Sequence, residues 1–161
     1  MTQTFHPAPV APSTLIPSSA AGLRVPRRHT RPGSDPLDDV RWEKRRTIIA
    51  NPDGSVVFQM DDVEVPAGWS QLATDIVVSK YFRKAGVPQF DAAGTVLTDA
   101  EGAVLTGPET SVRQVIRRLA GCWRVWGETY GYFATPQDAQ AFEDELAYML
   151  VRQMAAPNSP Q

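Results

Sequence analysis

Cysteine and histidine are nearly absent from this 161-residue chain, which has one cysteine, Cys122, and two histidines, His6 and His29. A single thiol cannot close an internal disulfide or build a cysteine-based metal site. Both histidines sit in a proline-rich stretch, so a His/Cys/carboxylate cluster has too few ligands for a metal. For the same reason no nucleophile–His pair is at hand. Long apolar runs are missing too: none approaches the ~18 residues that a membrane span needs. There is no GxGxxG and no P-loop to cradle a phosphate. The N-terminus lacks the apolar core of a signal peptide, and its prolines oppose the amphipathic helix of a transit peptide. These absences fit a reducing, cytoplasmic setting. A net charge of −2 argues against nucleic acid as a partner.

What is present divides unevenly. Met1 to Asp39 carries Pro7, Pro9, Pro12, Pro17, Pro26, Pro32 and Pro36 with few large apolar residues. It reads as a disordered Pro/Arg-rich tail, residues 1–39, dispensable for the fold. Arg24, Arg27, Arg28 and Arg31 make its front basic, whereas Asp and Glu dominate later. Such a front could touch an anionic surface, or could simply be a solvated tail.

Order is expected from residue 40 onward. Thr47-Ile48-Ile49 and Val56-Val57-Phe58 flank Asn51-Pro52-Asp53-Gly54, which predicts a β-hairpin. Val63 to Pro66 is extended. A first helix, capped by Ser70, runs to about Arg83 with Trp69, Leu72, Ala73, Ile76 and Val77 on one face. Thr95–Thr98 and Ala103–Thr106 are near-copies (TVLT and AVLT) around Asp99–Gly102 and suggest a second small hairpin. A second helix starts after Thr110 or Ser111, with Val112, Val115, Ile116, Leu119, Cys122 or Trp123, and Trp126 as its buried stripe. A third begins at the Thr135 cap with Pro136 in the first turn. It buries Ala139, Phe142, Leu146, Met149 and Leu150, turns Asp144 and Glu145 elsewhere, and stops by Pro157. The fold class is therefore α+β, mainly helical: a tail, a small hairpin and three packed amphipathic helices.

Few residues suggest chemistry. Cys122 lies on the expected buried stripe and reads as a small core hydrophobe. Arg113, Arg117, Arg118 and Arg124 could form an anion contact on the second helix, or a solvated face. Of Trp42, Trp69, Trp123 and Trp126, the last three fall at expected buried helix positions and read as core.

The blocks VEVPAGWSQLATDIVVSKYF (Val63–Phe82), ETSVRQVIRRL (Glu109–Leu119), GYFATPQDAQAFEDELAYML (Gly131–Leu150) and Asn158-Ser159-Pro160 change this picture. In this order and spacing they resemble the N-terminal segment of the adenosylcobalamin-dependent, class II ribonucleotide reductases. The resemblance covers roughly Trp42 to Pro160. It implies that residues 40–161 are the N-terminal helical domain of such an enzyme, stopping before its ten-stranded α/β catalytic barrel. The family reduces ribonucleoside diphosphates to deoxyribonucleotides for DNA synthesis through a cobalamin-generated thiyl radical and further barrel cysteines. With one thiol, this chain is expected to be non-catalytic by itself and to bind no cobalamin alone. The resemblance implies a downstream catalytic fragment as partner, with ribonucleotide bound only in the assembled enzyme. It carries one site residue across: Ser159, as a substrate-binding hydroxyl. The other reading of the chain is a stand-alone helical module binding a protein or an anionic partner.

Overall fold

The hairpin turn shows most directly how local sequence builds this molecule. In the computed structural model, which describes residues 22–91 and 94–157, strands β1 (Trp42–Ala50) and β2 (Val56–Pro66) pair antiparallel from Trp42↔Pro66 to Ala50↔Val56. Asn51 N–H donates to the Ser55 carbonyl at 2.9 Å, and Asp53 accepts from both the backbone and the hydroxyl of Ser55. Gly54 takes a φ of 85°, a conformation that a side chain would oppose. The register shifts where Arg46 of β1 faces both Asp61 and Asp62 of β2, a bulge in which Asp62 takes a φ of 56°. The base of the hairpin, Val63 and Val65, is fully buried.

Helix α1 (Gln71–Ile76) starts where Ser70 Oγ accepts the Ala73 N–H, and it runs on as a π-helical turn, Val77–Tyr81. The Ser79 hydroxyl donates to the Asp75 carbonyl at 2.6 Å. This back-bond competes with the regular ladder where the helix widens. Strands β3 (Val87–Pro88) and β4 (Thr106–Gly107) then pair, with an isolated bridge between Thr98 and Val104. The near-copies fold around one another: Gln89 N–H donates to Leu105, Leu97 to Gln89 and Leu105 to Leu97, each at 2.9 Å. The bonds close a ring.

Helix α2 (Val112–Thr129) opens on a full capping box. Ser111 Oγ accepts the Arg113 N–H, and Gln114 Oε1 accepts the N–H groups of Ser111 and Thr110. Helix α3 (Pro136–Val151) opens on Thr135, which bonds Asp138 by backbone and side chain. The core joins Val63, Val65, Val78, Phe82, Val112, Ile116, Ala120, Leu150 and Val151. The α+β architecture with three helices is thus as expected.

Three expectations change. The tail was expected to be disordered as far as Asp39, yet residues 22–39 pack. Leu37 is fully buried, Leu23 bridges Phe133, and the Val25 N–H donates to Asp138. Prolines bar a helix but not an extended strap whose N–H groups find acceptors elsewhere. Those acceptors sit on α3, where Asp144 and Glu145 were expected to point away; both are buried beneath the strap. The stripe of α2 also diverges. Trp123 and Trp126 are 37% and 55% exposed, and Cys122 is half-buried. The second half of α2 instead presents its small residues, Ala120 and Gly127, inward, and the Phe133 ring lies against Gly127. The expected tail residues 1–21 and Ser159 lie outside the described residues.

Candidate functional site

The feature with the clearest capacity to bind is a groove of about 400 Å3 where α1, α2 and the end of α3 meet. Its floor is Val112, Val115 and Ile116 from the buried stripe of α2, and its sides are Trp69, Ile76, Tyr81 and Leu119. Sequence dictates this arrangement. The three-and-four spacing of α1 brings Trp69, Ala73 and Ile76 to one side, and the π turn carries Tyr81 round to the same wall. Trp69 is held by its indole N–H, which donates to the Val151 carbonyl at 2.9 Å. The remaining wall is the turn after α3, residues 153–157. It folds back because Gln153 adopts a φ of 55° while the Met154 N–H bonds the Met149 carbonyl at 2.9 Å. Among the described residues no charged side chain lines the groove. Its chemistry is hydrophobic contact rather than proton transfer or ion binding.

The arginines considered as an anion contact are committed elsewhere. Arg118 grips the buried Glu109 with two nitrogens at 2.9 and 3.0 Å and donates to the Tyr81 carbonyl. Arg124 joins Glu143 at 2.8 Å and Gln140 at 2.6 Å, with Glu128 a turn away, and the Glu143 and Glu128 carboxylates hold its charge more firmly than usual. Arg113 lies over the Trp42 ring at 4.0 Å and beside Glu64, and Arg117 pairs with Asp35. Sequence inspection found these residues but not their partners. In the strap, Arg27 pairs with Asp144 at 2.7 Å. His29 stacks flat on Tyr148 with centroids 5.0 Å apart.

Among the described residues no group of three or more His, Cys, Asp or Glu is placed to hold a metal, and no helix is long and apolar enough to cross a membrane. Cys122 has no second thiol near it, since the chain has only one. Ser159, the one site residue expected from sequence, follows the groove's last wall in the chain but lies outside the described residues. The groove itself was missed. Its apolar side chains were read as core, and nothing in the sequence marks a turn at Gln153 that opens a cleft beside them.

Comparison with known proteins assigns the architecture to a family. Residues 43–153, from β1 through the turn after α3, match the family model described as class II vitamin B12-dependent ribonucleotide reductase. The chain is 47% identical to the vitamin B12-dependent ribonucleotide reductase of Bradyrhizobium diazoefficiens and 46% identical to that of Agrobacterium fabrum. Each alignment covers 86% of this chain and 12% of the relative. The enzyme of the same name from Streptomyces avermitilis is 43% identical over 99% of this chain and 15% of its own length. The chain therefore spans only 12–15% of these relatives, and it corresponds to their N-terminal part. It belongs to the class II vitamin B12-dependent ribonucleotide reductase family.

Proposed function

We propose that this chain acts as the N-terminal part of a B12-dependent reductase that converts ribonucleoside diphosphates to deoxyribonucleotides for DNA synthesis. The observation that carries this reading is the family match across residues 43–153, which takes in all of the strands and helices described above except Trp42. Radical chemistry of this class needs several thiols in a closed pocket, because an exposed radical is quenched. The chain offers one half-buried thiol. Its own contribution is structural: it supports the catalytic portion, and it brings the segment bearing Ser159 toward the substrate. A hydroxyl can both donate to and accept from a ribonucleotide.

Adenosylcobalamin does not fit the described residues. The groove, at about 400 Å3, lies near the lower end of the ~300–1,000 Å3 typical of pockets for drug-sized ligands. A corrin with its nucleotide loop and adenosyl group is much larger than such ligands. We assign the cofactor to the catalytic portion. We also place the assembled enzyme in the cytoplasm, where its thiols would stay reduced.

The test is a graft. This chain replaces the matching N-terminal stretch of the Bradyrhizobium diazoefficiens reductase, and deoxynucleotide formation is assayed with adenosylcobalamin and a dithiol. The joined protein should turn over and the 161-residue chain alone should not. A folded but inactive graft, or turnover by the chain alone, would sink the reading. The stand-alone module, binding a protein or an anionic partner through its basic tail and Arg-bearing helix, gains no support from α2, whose four arginines are paired within the chain.

A further inference from the structure

We infer that the apolar groove between α1, α2 and the turn after α3 seats an apolar peptide segment of the catalytic portion, an assignment that rests on the function proposed above. The first ground is polarity. Other crevices of the chain are lined with charge: one holds Asp35, Arg117, Glu143 and Asp144, another Asp39, Arg41 and Arg152. This groove has no charged lining residue among the described ones. A phosphate or metal ion finds no partner in it, whereas a hydrocarbon surface does.

The second ground is exposure. Ile76 and Met154, on opposite walls, are 49% and 53% exposed. A contiguous apolar patch of this kind marks an interaction surface rather than a solvated face. Met154 adds an adaptable side chain suited to moulding around a partner.

The third ground is position. The wall formed by residues 153–157 lies where the family match ends, at residue 153. The relatives are far longer than this chain, which spans 12–15% of them, so a polypeptide continuing past the matched stretch would set out from the rim of this groove. A tethered segment starting there meets the groove at high effective concentration, so modest hydrophobic contact suffices to dock it. Burial of Ile76 and Met154 would then complete a core that the chain leaves open on one side.

Hydroxyl-radical oxidation of Met154 and Trp69 tests this in the 161-residue chain and in the Bradyrhizobium graft. Oxidation of both residues should fall several-fold in the joined protein. Ile76→Asp should restore it there and lower the melting point of the joined protein, while leaving that of the isolated chain unchanged. Equal oxidation in the two proteins would overturn the inference. So would protection in the isolated chain that grows with concentration alongside a dimer mass by light scattering, which would make a second copy the occupant. An inactive graft with Met154 protected counts against the proposed function alone. An active graft with an open groove counts against this inference alone.

Discussion

The carboxylate of Glu145 binds Thr30 through both its peptide and its hydroxyl, tying the strap to α3. One Glu145 oxygen accepts the Thr30 N–H at 2.8 Å and the Thr30 hydroxyl at 2.7 Å, and it also takes the N–H groups of Arg28 and His29 at 3.0 Å. Three successive backbone donors thus converge on one side chain. Glu145→Ala leaves them without a partner inside the protein. The expected loss is about 2–3 kcal/mol, seen as a lower urea midpoint, with Glu145→Gln losing less. Protease cleavage within residues 22–39 should become faster in both variants. An unchanged midpoint would show that the strap is held by its other contacts, among them buried Leu37, the Val25–Asp138 bond and the Arg27–Asp144 pair.

Acid should loosen the same region. Burial works against the Glu145 charge, but the bonds from Thr30, His29 and Arg28 outweigh it and hold the carboxyl below its ordinary range. Asp138 is lowered first by the Thr135 hydroxyl and then by the Val25 N–H. Groups depressed in the folded state bind protons more readily when unfolded, so their stabilisation is complete above the ordinary carboxyl values near about 4. It is lost as pH falls through the lower folded-state values. Melting points measured from pH 6 to pH 2 should fall over that window, and Glu145→Gln should flatten the slope.

Arg118→Ala should be among the most damaging changes to α2. It strands Glu109, which is 2% exposed and also accepts the Arg83 N–H. A buried carboxylate without its cation costs about 2–4 kcal/mol. Arg118→Lys should recover only part, because a single ammonium cannot reproduce two parallel contacts. Equal melting of the Lys variant and the native chain would refute the bidentate account.

Gly127→Ala tests the close approach of α2 to the following turn. A methyl there would meet Phe133 Cε2 at 2.3 Å, and that ring is already packed 5.3 Å from Phe142. Overpacking of this kind costs about 1–3 kcal/mol. Thermal melting should register the loss, whereas Ala at Gly121, with only Glu143 at 3.4 Å, should be tolerated.

Cys122→Ser should shift stability by no more than about 0.5 kcal/mol, because the side chain is half-buried rather than sealed in the core. Turnover of the graft should be unaffected. Loss of turnover at unchanged melting would give the thiol a chemical role.

The parts of this fold that were readable in sequence are those set by neighbours in the chain. The Ser70, Ser111 and Thr135 caps and the Asn51–Gly54 turn each depend on contacts within a few residues. The strap was not readable, because its acceptor Glu145 lies 115 to 117 residues from the peptides it binds, and composition alone describes only what a segment cannot do. Trp123 and Trp126 were misplaced because apolar spacing reports one stripe per helix, while α2 presents one face to β2 and the π-helical turn and another, with the small residues Ala120 and Gly127, to α3 and Phe133. The reductase family was legible from its blocks. The groove was not, since an apolar residue at a binding surface and one in a core obey the same spacing.

Gln89, Leu97 and Leu105 stand at equal intervals along the chain, and each bonds the next in a closed circuit. A circuit differs from a ladder in what it permits over evolutionary time. A ladder shortened by one rung keeps the others, but a ring of three that loses one member loses two of its three bonds. This loop should therefore vary among related proteins as a whole, present or replaced outright, and rarely by a single unit of its repeat.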